Sequence, residues 1–155
     1  MKTRSCLKLL AASVAFAALP ALALDTSGPG DRLAPARAHI EARQWAQALA
    51  ELRRVDDPAN ADWNNLMGYS LRMQPQADHA GAARFYEAAL RIDPKHRGAL
   101  EYAGELDLIT GNLAKAEERL AALDKVCRFS CGEYRDLKRA IERYKAAGNR
   151  PVAPP

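Results

Sequence analysis

The fold is decided by residues 61–94, which read ADWNNLMGYSLRMQPQADHAGAARFYEAALRIDP. Apolar and small side chains recur there at helical spacings of three and four, both before Gln74 and after Gly81. Three sets of such side chains return every 34 residues along the chain: Ala48, Ala82 and Ala116; Leu52, Tyr86 and Leu120; Val55, Ala89 and Leu123. A period near 34 with small residues at helix crossings predicts stacked helix–turn–helix repeats.

A second set of positions repeats at a spacing of 36 residues: Asp57-Pro58 with Asp93-Pro94, Trp63 with Ala99, Met67 with Ala103, and Gly68 with Gly104. The two extra residues fit within 74–81, which we predict to be a loop. Each unit of such an array cannot bury its apolar face alone, so neighbouring units must stack. The two periods therefore predict an all-α solenoid that serves as a binding scaffold rather than as an enzyme.

The same spacing rules predict where the individual helices lie. They predict one helix after each Asp-Pro pair and further helices over 34–43, 46–55, 82–91 and 114–126. Trp45 is expected in the turn between the first two helices. Asp57 and Asp93 are expected N-caps, because the proline that follows each of them has no N–H to satisfy in the first helical turn. Gly68 and Gly104 lie inside helices, where glycine costs about 1 kcal/mol, which predicts a closely packed neighbour.

The chain after Val126 departs from the repeat and predicts a closing helix. Ser130 and Glu133 have the spacing of a capping box, in which each side chain binds a free backbone N–H at the helix start. An apolar stripe follows, made of Tyr134, Leu137, Ile141 and Tyr144, and the opposite side of the helix is charged. Such a helix can close the exposed end of a solenoid core. A calmodulin-type or membrane-surface role for this basic helix is the alternative.

The repeated positions resemble the tetratricopeptide repeat (TPR) family. The resemblance rests on Trp63-x2-Leu66, Gly68-Tyr69 and Ala82-x3-Tyr86-x2-Ala89 with Asp93-Pro94, and it continues through Gly104, Gly111 and Ala116. Two units match well and 34–55 matches as a weaker first unit, so about 95 residues are covered. Two departures are that Gly68 falls one residue late and that the first unit lacks the glycine expected near Ala36. The resemblance implies two to three repeats plus the closing helix over 33–147. It also implies that the first helix of each pair lines a groove for a peptide or a partner helix.

Five side chains on these first helices remain free of core packing and are predicted to bind the partner: Asn65, Tyr69, Arg72, Glu101 and Glu105. The pairs 65/69 and 101/105 each share a helical face because their members are four residues apart. Some TPR domains hold a C-terminal carboxylate with lysine, arginine and asparagine, but the two glutamates would repel a carboxylate here. We therefore expect a partner with basic or amide-rich character. An ordinary solvated face is the alternative.

Residues 1–23 are predicted to be a signal peptide. Basic residues precede an apolar run over 9–19, and Ala21-Leu22-Ala23 offers a small-residue cleavage site. A retained membrane anchor is the alternative, but spanning a bilayer takes roughly 20 apolar residues. The mature protein is therefore expected in a bacterial periplasm or outside the cell, without a membrane span. A flexible lead-in is predicted over 24–32 and a disordered tail over 148–155.

Removal of the signal peptide nearly balances the charge. The whole chain has 23 basic and 19 acidic residues, and three of the basic residues precede Leu24, which leaves 20 against 19. Binding to nucleic acid requires clustered positive charge, whereas here the two signs are interspersed. Nucleic acid is therefore not expected as a partner, and the partner is expected to be another protein or a peptide.

Cys127 and Cys131 lie where the last repeat meets the closing helix. In an oxidising compartment, two such thiols are expected to form a structural disulfide. A redox role is the sharper alternative, because Cys131 would lie in the first helical turn, where the helix dipole lowers the pKa of a thiol. A metal site is the third alternative, although no histidine or further cysteine pair lies nearby in sequence.

The sequence contains no recognisable catalytic, metal or cofactor motif, and His39, His79 and His96 are predicted to be isolated on separate elements. The predicted function is thus that of an exported, non-catalytic scaffold that binds another protein. A thiol-redox or metal-handling accessory protein that uses Cys127 and Cys131 is the main alternative. A structural subunit of an envelope complex, in which the domain serves assembly alone, is a further alternative.

Overall fold

The computed structural model describes residues 30–129 and 131–151. Over these ranges it has seven α-helices and no β-strand, which confirms the all-α prediction. The helices are α1 (Ala34–Glu41), α2 (Trp45–Val55), α3 (Ala61–Met73), α4 (His79–Ile92), α5 (Arg97–Ile109), α6 (Leu113–Val126) and α7 (Gly132–Ala146). The predicted signal peptide, most of the lead-in and the last four residues of the tail lie outside the described residues.

The helices pack in order along the chain. Each helix contacts the next one, α5 also packs against α7, and lighter contacts join α1 to α3 and α3 to α5. Buried side chains form two apolar clusters, one shared by α1 to α5 around Tyr86 and one shared by α5 to α7 around Leu137. Helix α5 contributes to both, with Ala103 and Leu106 in the first cluster and Leu100 in the second. It is therefore the common wall of two cores.

The two Asp-Pro pairs form turns and do not cap the helices that follow them. In each turn the backbone N–H three residues after the aspartate donates to its carbonyl: Asn60 to Asp57 at 3.0 Å and His96 to Asp93 at 3.1 Å. This turn delays the helix, so Asn60 and His96 become the N-caps of α3 and α5, and their side chains accept backbone N–H groups at 3.1 and 3.0 Å. The predicted caps at Asp57 and Asp93 were wrong by one turn.

Two other helix starts also differ from the prediction. Trp45 is the first residue of α2, and the turn before it contains Arg43 in a left-handed conformation with φ of 56°. Helix α4 begins at His79, earlier than predicted, because the Asp78 carboxylate accepts the Gly81 backbone N–H at 2.8 Å. The loop before α4 is therefore shorter than the sequence suggested.

Both glycines inside helices lie at close approaches, as predicted. A Cβ added at Gly68 of α3 would lie 2.7 Å from Cε1 of Tyr86 in α4. A Cβ added at Gly104 of α5 would lie 2.6 Å from Cδ2 of Leu137 in α7. Neither position has room for a methyl group unless its neighbour moves.

Helix α7 has the two-sided character predicted for a closing helix. Leu137, Ile141 and Tyr144 are buried, and Tyr134 is half-buried. Six charged residues of the helix are exposed: Arg135, Lys138, Arg139, Glu142, Arg143 and Lys145. Its N-cap is Cys131, whose side chain makes no capping hydrogen bond, and Ser130 of the predicted capping box lies outside the described residues.

Hydrogen bonds to backbone carbonyls link the described ends of the chain to nearby helices. The Arg32 guanidinium donates to the Val55 carbonyl at 2.9 Å, at the end of α2. Beyond α7, the Asn149 N–H donates to the Tyr144 carbonyl at 3.0 Å. Between these ends, over residues 30–129 and 131–151, no helix combines the length and the apolar character that crossing a bilayer requires.

Candidate functional site

The odd-numbered helices α1, α3, α5 and α7 line a groove of about 860 Å³, together with the first residue of α2. Four of the five predicted binding residues line it: Tyr69, Arg72, Glu101 and Glu105. The fifth, Asn65, does not. It is only 7% exposed, and its Nδ2 atom would lie 3.1 Å from a Cβ added at Gly98, so it is buried between α3 and α5.

An aromatic cluster, formed by Trp45, Tyr69 and Tyr102, makes up much of the groove wall. The ring centroids of Tyr69 and Tyr102 are 4.6 Å apart, and those of Trp45 and Tyr69 are 6.0 Å apart in an edge-to-face arrangement. The Arg72 guanidinium lies 5.6 Å from the Tyr69 centroid and 5.5 Å from the Tyr102 centroid, within the range of a cation–π contact. Each ring is half-buried, so the cluster is packed in place and still reaches the groove.

The Arg72 side chain is held as a cation by its neighbours. It is 7% exposed and pairs with the Glu105 carboxylate at 2.8 Å. Burial by itself would lower the pKa of Arg72, but Tyr86 and Glu105 more than offset this and raise it above its ordinary value. Two of the predicted binding residues, Arg72 and Glu105, thus form an internal ion pair between α3 and α5.

The Glu101 carboxyl lines the groove without an ion-pair partner among the described residues. The residue is 8% exposed. Burial, and after it the nearby carboxylates of Glu105, Asp136 and Glu133, raise its pKa to about 8. At neutral pH Glu101 is therefore mostly protonated, while Glu105 is neutralised by Arg72. The acidic face that the sequence suggested is largely neutral in the folded chain.

A second polar cluster, outside the groove, joins α4, α5 and α6 and was not foreseen from the sequence. Arg119 is 8% exposed and donates to Asp107 and to Glu87, both at 2.6 Å, and Lys115 also donates to Glu87 at 2.9 Å. Burial would raise the pKa of Glu87, but the hydrogen bonds from Lys115 and Arg119 outweigh it and lower the pKa. The Arg119 side chain therefore fixes three helices relative to one another.

Cys127 and Cys131 are joined by a disulfide, as predicted. Cys127 is the C-cap of α6 and Cys131 the N-cap of α7, and their Cα atoms are 5.6 Å apart. Cys131 therefore precedes the first helical turn, in contrast to the redox interpretation, which placed it within that turn. Phe129, between the two cysteines, is 92% exposed. In the described part of the chain, no three His, Cys, Asp or Glu side chains gather as a metal site.

The histidines lie apart, but two of them have structural partners. His39 shares a hydrogen bond of 2.7 Å with Gln44. His96 accepts the Ala99 N–H with Nδ1, so Nε2 carries the proton and donates to Asp62 at 2.9 Å. The His96 ring thus caps α5 and links it to the first turn of α3. A capping role for histidine could not be inferred from its position after Asp93-Pro94.

Comparison with known protein families gives no family that matches this chain. Comparison with functionally described proteins gives no similar sequence either. The TPR resemblance therefore stays a prediction that rests on the repeated positions of the sequence.

Proposed function

We propose that the protein is an exported, non-catalytic TPR-type scaffold that binds a peptide or a partner helix of another protein in its groove. The observation that carries the proposal is the groove itself, where the odd-numbered helices and the first residue of α2 bring three aromatic rings and Arg72 to a shared surface. The few residues that dominate binding energy in protein interfaces are enriched in tryptophan, tyrosine and arginine. Their concentration in one groove favours protein binding.

The repeat architecture is supported by how the helices pack. Sequential helices contact one another, and the turns before α3 and α5 have the same hydrogen bond and the same cap position 36 residues apart. Small residues stand at helix contacts, including the fully buried Ala48, Ala82 and Ala116 of the 34-residue period. In TPR proteins the first helix of each pair lines the concave face. Here α1, α3, α5 and α7 line the groove, which supports the analogy.

The groove is also suited to binding because its rings are already ordered. Tyr69 contacts Trp45 on one side and Tyr102 on the other, and Arg72 lies over two of the rings. Side chains that are fixed before association lose less conformational entropy on binding. The aromatic cluster can therefore offer contact area to a partner without first rearranging.

Export is supported by two independent features. The charged, apolar and small-residue order of 1–23 is typical of a secretory signal. The Cys127–Cys131 disulfide fits an oxidising compartment. N-terminal sequencing of the protein from its native compartment should give Leu24 as the first residue. An intact Met1 on membrane-bound protein would contradict export with cleavage.

The binding role is tested by affinity capture of partners from the organism's own envelope extract, followed by mass spectrometry. Trp45→Ala removes a half-buried ring at the edge of the groove, and Ile40→Arg places a bulky charge on the α1 wall. Removal of a true hot spot costs about 2 kcal/mol or more, roughly a 30-fold loss of affinity. Both variants should lose the partner while their helical circular dichroism is unchanged.

The matched control is Glu118→Ala, because Glu118 is exposed on α6 and does not line the groove. It should capture the same partner as the wild type. If all three variants capture it equally, the partner does not bind in the groove.

A thiol-redox accessory role is the second candidate, favoured by the position of the disulfide at the start of α7 beside the exposed Phe129. Thiol counting in graded glutathione buffers separates the two candidates. A structural bond stays closed under conditions that open the disulfides of exchange catalysts. A bond that opens with them, together with loss of function in a Cys127→Ser and Cys131→Ser double variant, would favour the redox role.

A further inference from the structure

Four carboxyl groups of α5 and α7 act on one another electrostatically, namely Glu101, Glu105, Glu133 and Asp136, and all but Glu133 line the groove. Three of them have an arginine partner: Arg72 for Glu105, Arg97 for Glu133 and Arg139 for Asp136. Glu101 is the exception. Within residues 30–129 and 131–151 its carboxyl has neither an ion pair nor a hydrogen bond, although the residue is more than nine-tenths buried and lines the groove.

A carboxylate on a mostly buried residue with no partner is costly to keep ionised, because it has lost much of its hydration and gained no compensating interaction. The charge of such a group can be neutralised by a proton or by a cation. The groups that face Glu101 are Glu105 and Tyr102 from its own helix, Glu133 and Asp136 from α7, and Arg72 from α3. Arg72 is already bound by Glu105, and the arginines next to Glu133 and Asp136, Arg97 and Arg139, are bound by those two carboxylates. In the free protein the Glu101 carboxyl is therefore neutralised by its own proton.

We propose that the bound partner supplies the cation, and that Glu101 receives an arginine or lysine side chain of the peptide that occupies the groove. This inference rests on the proposed binding function and names the chemistry of the partner. When the cation arrives, the Glu101 carboxyl releases its proton to solvent and accepts hydrogen bonds from the incoming side chain. No covalent bond forms or breaks apart from this O–H bond.

Other occupants fit this end of the groove less well. An apolar side chain would leave the Glu101 carboxyl buried without a partner. Next to Glu101 an anion would face four carboxyl groups, three of them already paired with arginine, whereas the further groove arginines Arg43 and Arg143 are not among the groups that act on Glu101. A cation, by contrast, neutralises the acid, and an arginine would also meet the Tyr102 ring, which lies in the same groove wall. Charge complementarity therefore favours a basic residue.

The inference is tested with two small probes, acetyl-arginine amide and its neutral isostere acetyl-citrulline amide, on protein with ¹³C-labelled glutamate carboxyls. Because Glu101 must be deprotonated to bind, the affinity for the arginine probe should rise about tenfold or more between about pH 6.5 and pH 8.5. The apparent pKa of Glu101 should fall when the arginine probe is present. The citrulline probe should cause neither change.

Glu101→Gln should abolish binding of the arginine probe, and Glu118→Gln, on the exposed surface of α6, should leave it unchanged. Equal binding of both probes, no binding of the arginine probe, or full binding by Glu101→Gln would each overturn the inference. Partner capture then separates it from the broader proposal. If Trp45→Ala loses the partner and Glu101→Gln keeps it, the groove binds a partner but not through a cation at Glu101. If both variants keep it, binding in the groove is itself contradicted.

Discussion

The pair α3–α4 and the pair α5–α6 begin in the same way and close differently. Both follow an Asp-Pro turn, and both carry a glycine at the same place in their first helix. Gly68 is covered by Tyr86, which belongs to its own pair, whereas Gly104 is covered by Leu137 of α7. The residue that corresponds to Tyr86 in the second pair is Leu120, which is shorter. The 36-residue period thus predicts where a small residue is needed, but not which helix packs against it.

The same comparison extends to the polar positions of the two pairs. Asn65 and Glu101 correspond at the 36-residue spacing, and both are buried, at 7% and 8% exposure. The first pair has a neutral amide at this position. The second has an acid that its surroundings keep mostly neutral by raising its pKa to about 8. Equivalent positions therefore have similar burial, but only the second can gain a charge.

The largest expected effect comes from removing the side chains that cover the glycines. Tyr86→Ala and Leu137→Ala should each lower the free energy of unfolding by about 3–5 kcal/mol, because both side chains are fully buried. Urea denaturation gives the size, and hydrogen exchange gives the place. Tyr86→Ala should speed exchange first in α3 and α4, and Leu137→Ala in α5 and α7. The same exchange pattern in both variants would erase the difference between the pairs.

The next effect concerns the disulfide, which links α7 to the second pair only. Closing a five-residue loop stabilises the fold by about 2 kcal/mol on the loop-entropy estimate. The Cys127→Ser and Cys131→Ser double variant should therefore melt at a lower temperature, with faster exchange in α7. Exchange in α3 and α4 should stay as in the wild type. As a control, a reducing agent should lower the melting temperature of the wild type but not that of the double variant.

Adding a methyl group at each glycine compares the two coverings directly. Gly68→Ala should destabilise by about 1 kcal/mol, since overpacking against the rigid Tyr86 ring outweighs the gain in helix propensity. Gly104→Ala should be nearly neutral, because the contacting methyl groups of Leu137 can rotate away. In a Tyr86→Leu background, Gly68→Ala should become neutral or stabilising. A larger loss at Gly104 than at Gly68 would show that Leu137 is the more tightly held.

The most gradual expected effect is the pH dependence caused by Glu101. Its folded pKa of about 8 lies above the ordinary value of 4.5, so between these values the folded state keeps a proton that the unfolded state has released. This contribution to stability is fully present below about pH 4.5 and is lost as the pH rises toward 8, with a slope of at most about 1.4 kcal/mol per pH unit. Glu101→Gln makes the position neutral, as Asn65 is, and should flatten the curve.

Thermal melts of the wild type and of Glu101→Gln across this pH range measure the effect, with Glu118→Gln as the control for an exposed acid. The curves of wild type and Glu101→Gln should diverge as the pH rises, with the variant the more stable. Parallel curves would mean that Glu101 is ionised in the folded state at neutral pH.

The sequence predicted the helices and most of their buried faces because helical periodicity is a local property. Trp63, Met67, Ala82, Tyr86, Ala99 and Leu123 are buried as their spacing indicated. The caps were misplaced because the turn at Asp57 and Asp93 consumes three residues, which a preference for aspartate at N-caps does not show. The burial of Asn65 and Arg119 depends on helices distant in sequence. The state of Glu101 likewise depends on α7, which lies outside the repeat.

The contact of Leu137 with Gly104 also affects how further helix pairs could be added to this chain. A further helix pair inserted between α6 and α7 would separate the two residues, and its own first helix would lie against the bare backbone at Gly104. Such an insertion would keep both contacts only if that new helix carried a leucine-sized side chain facing Gly104 and a glycine facing Leu137. The closing helix therefore favours an added unit that repeats both halves of the contact.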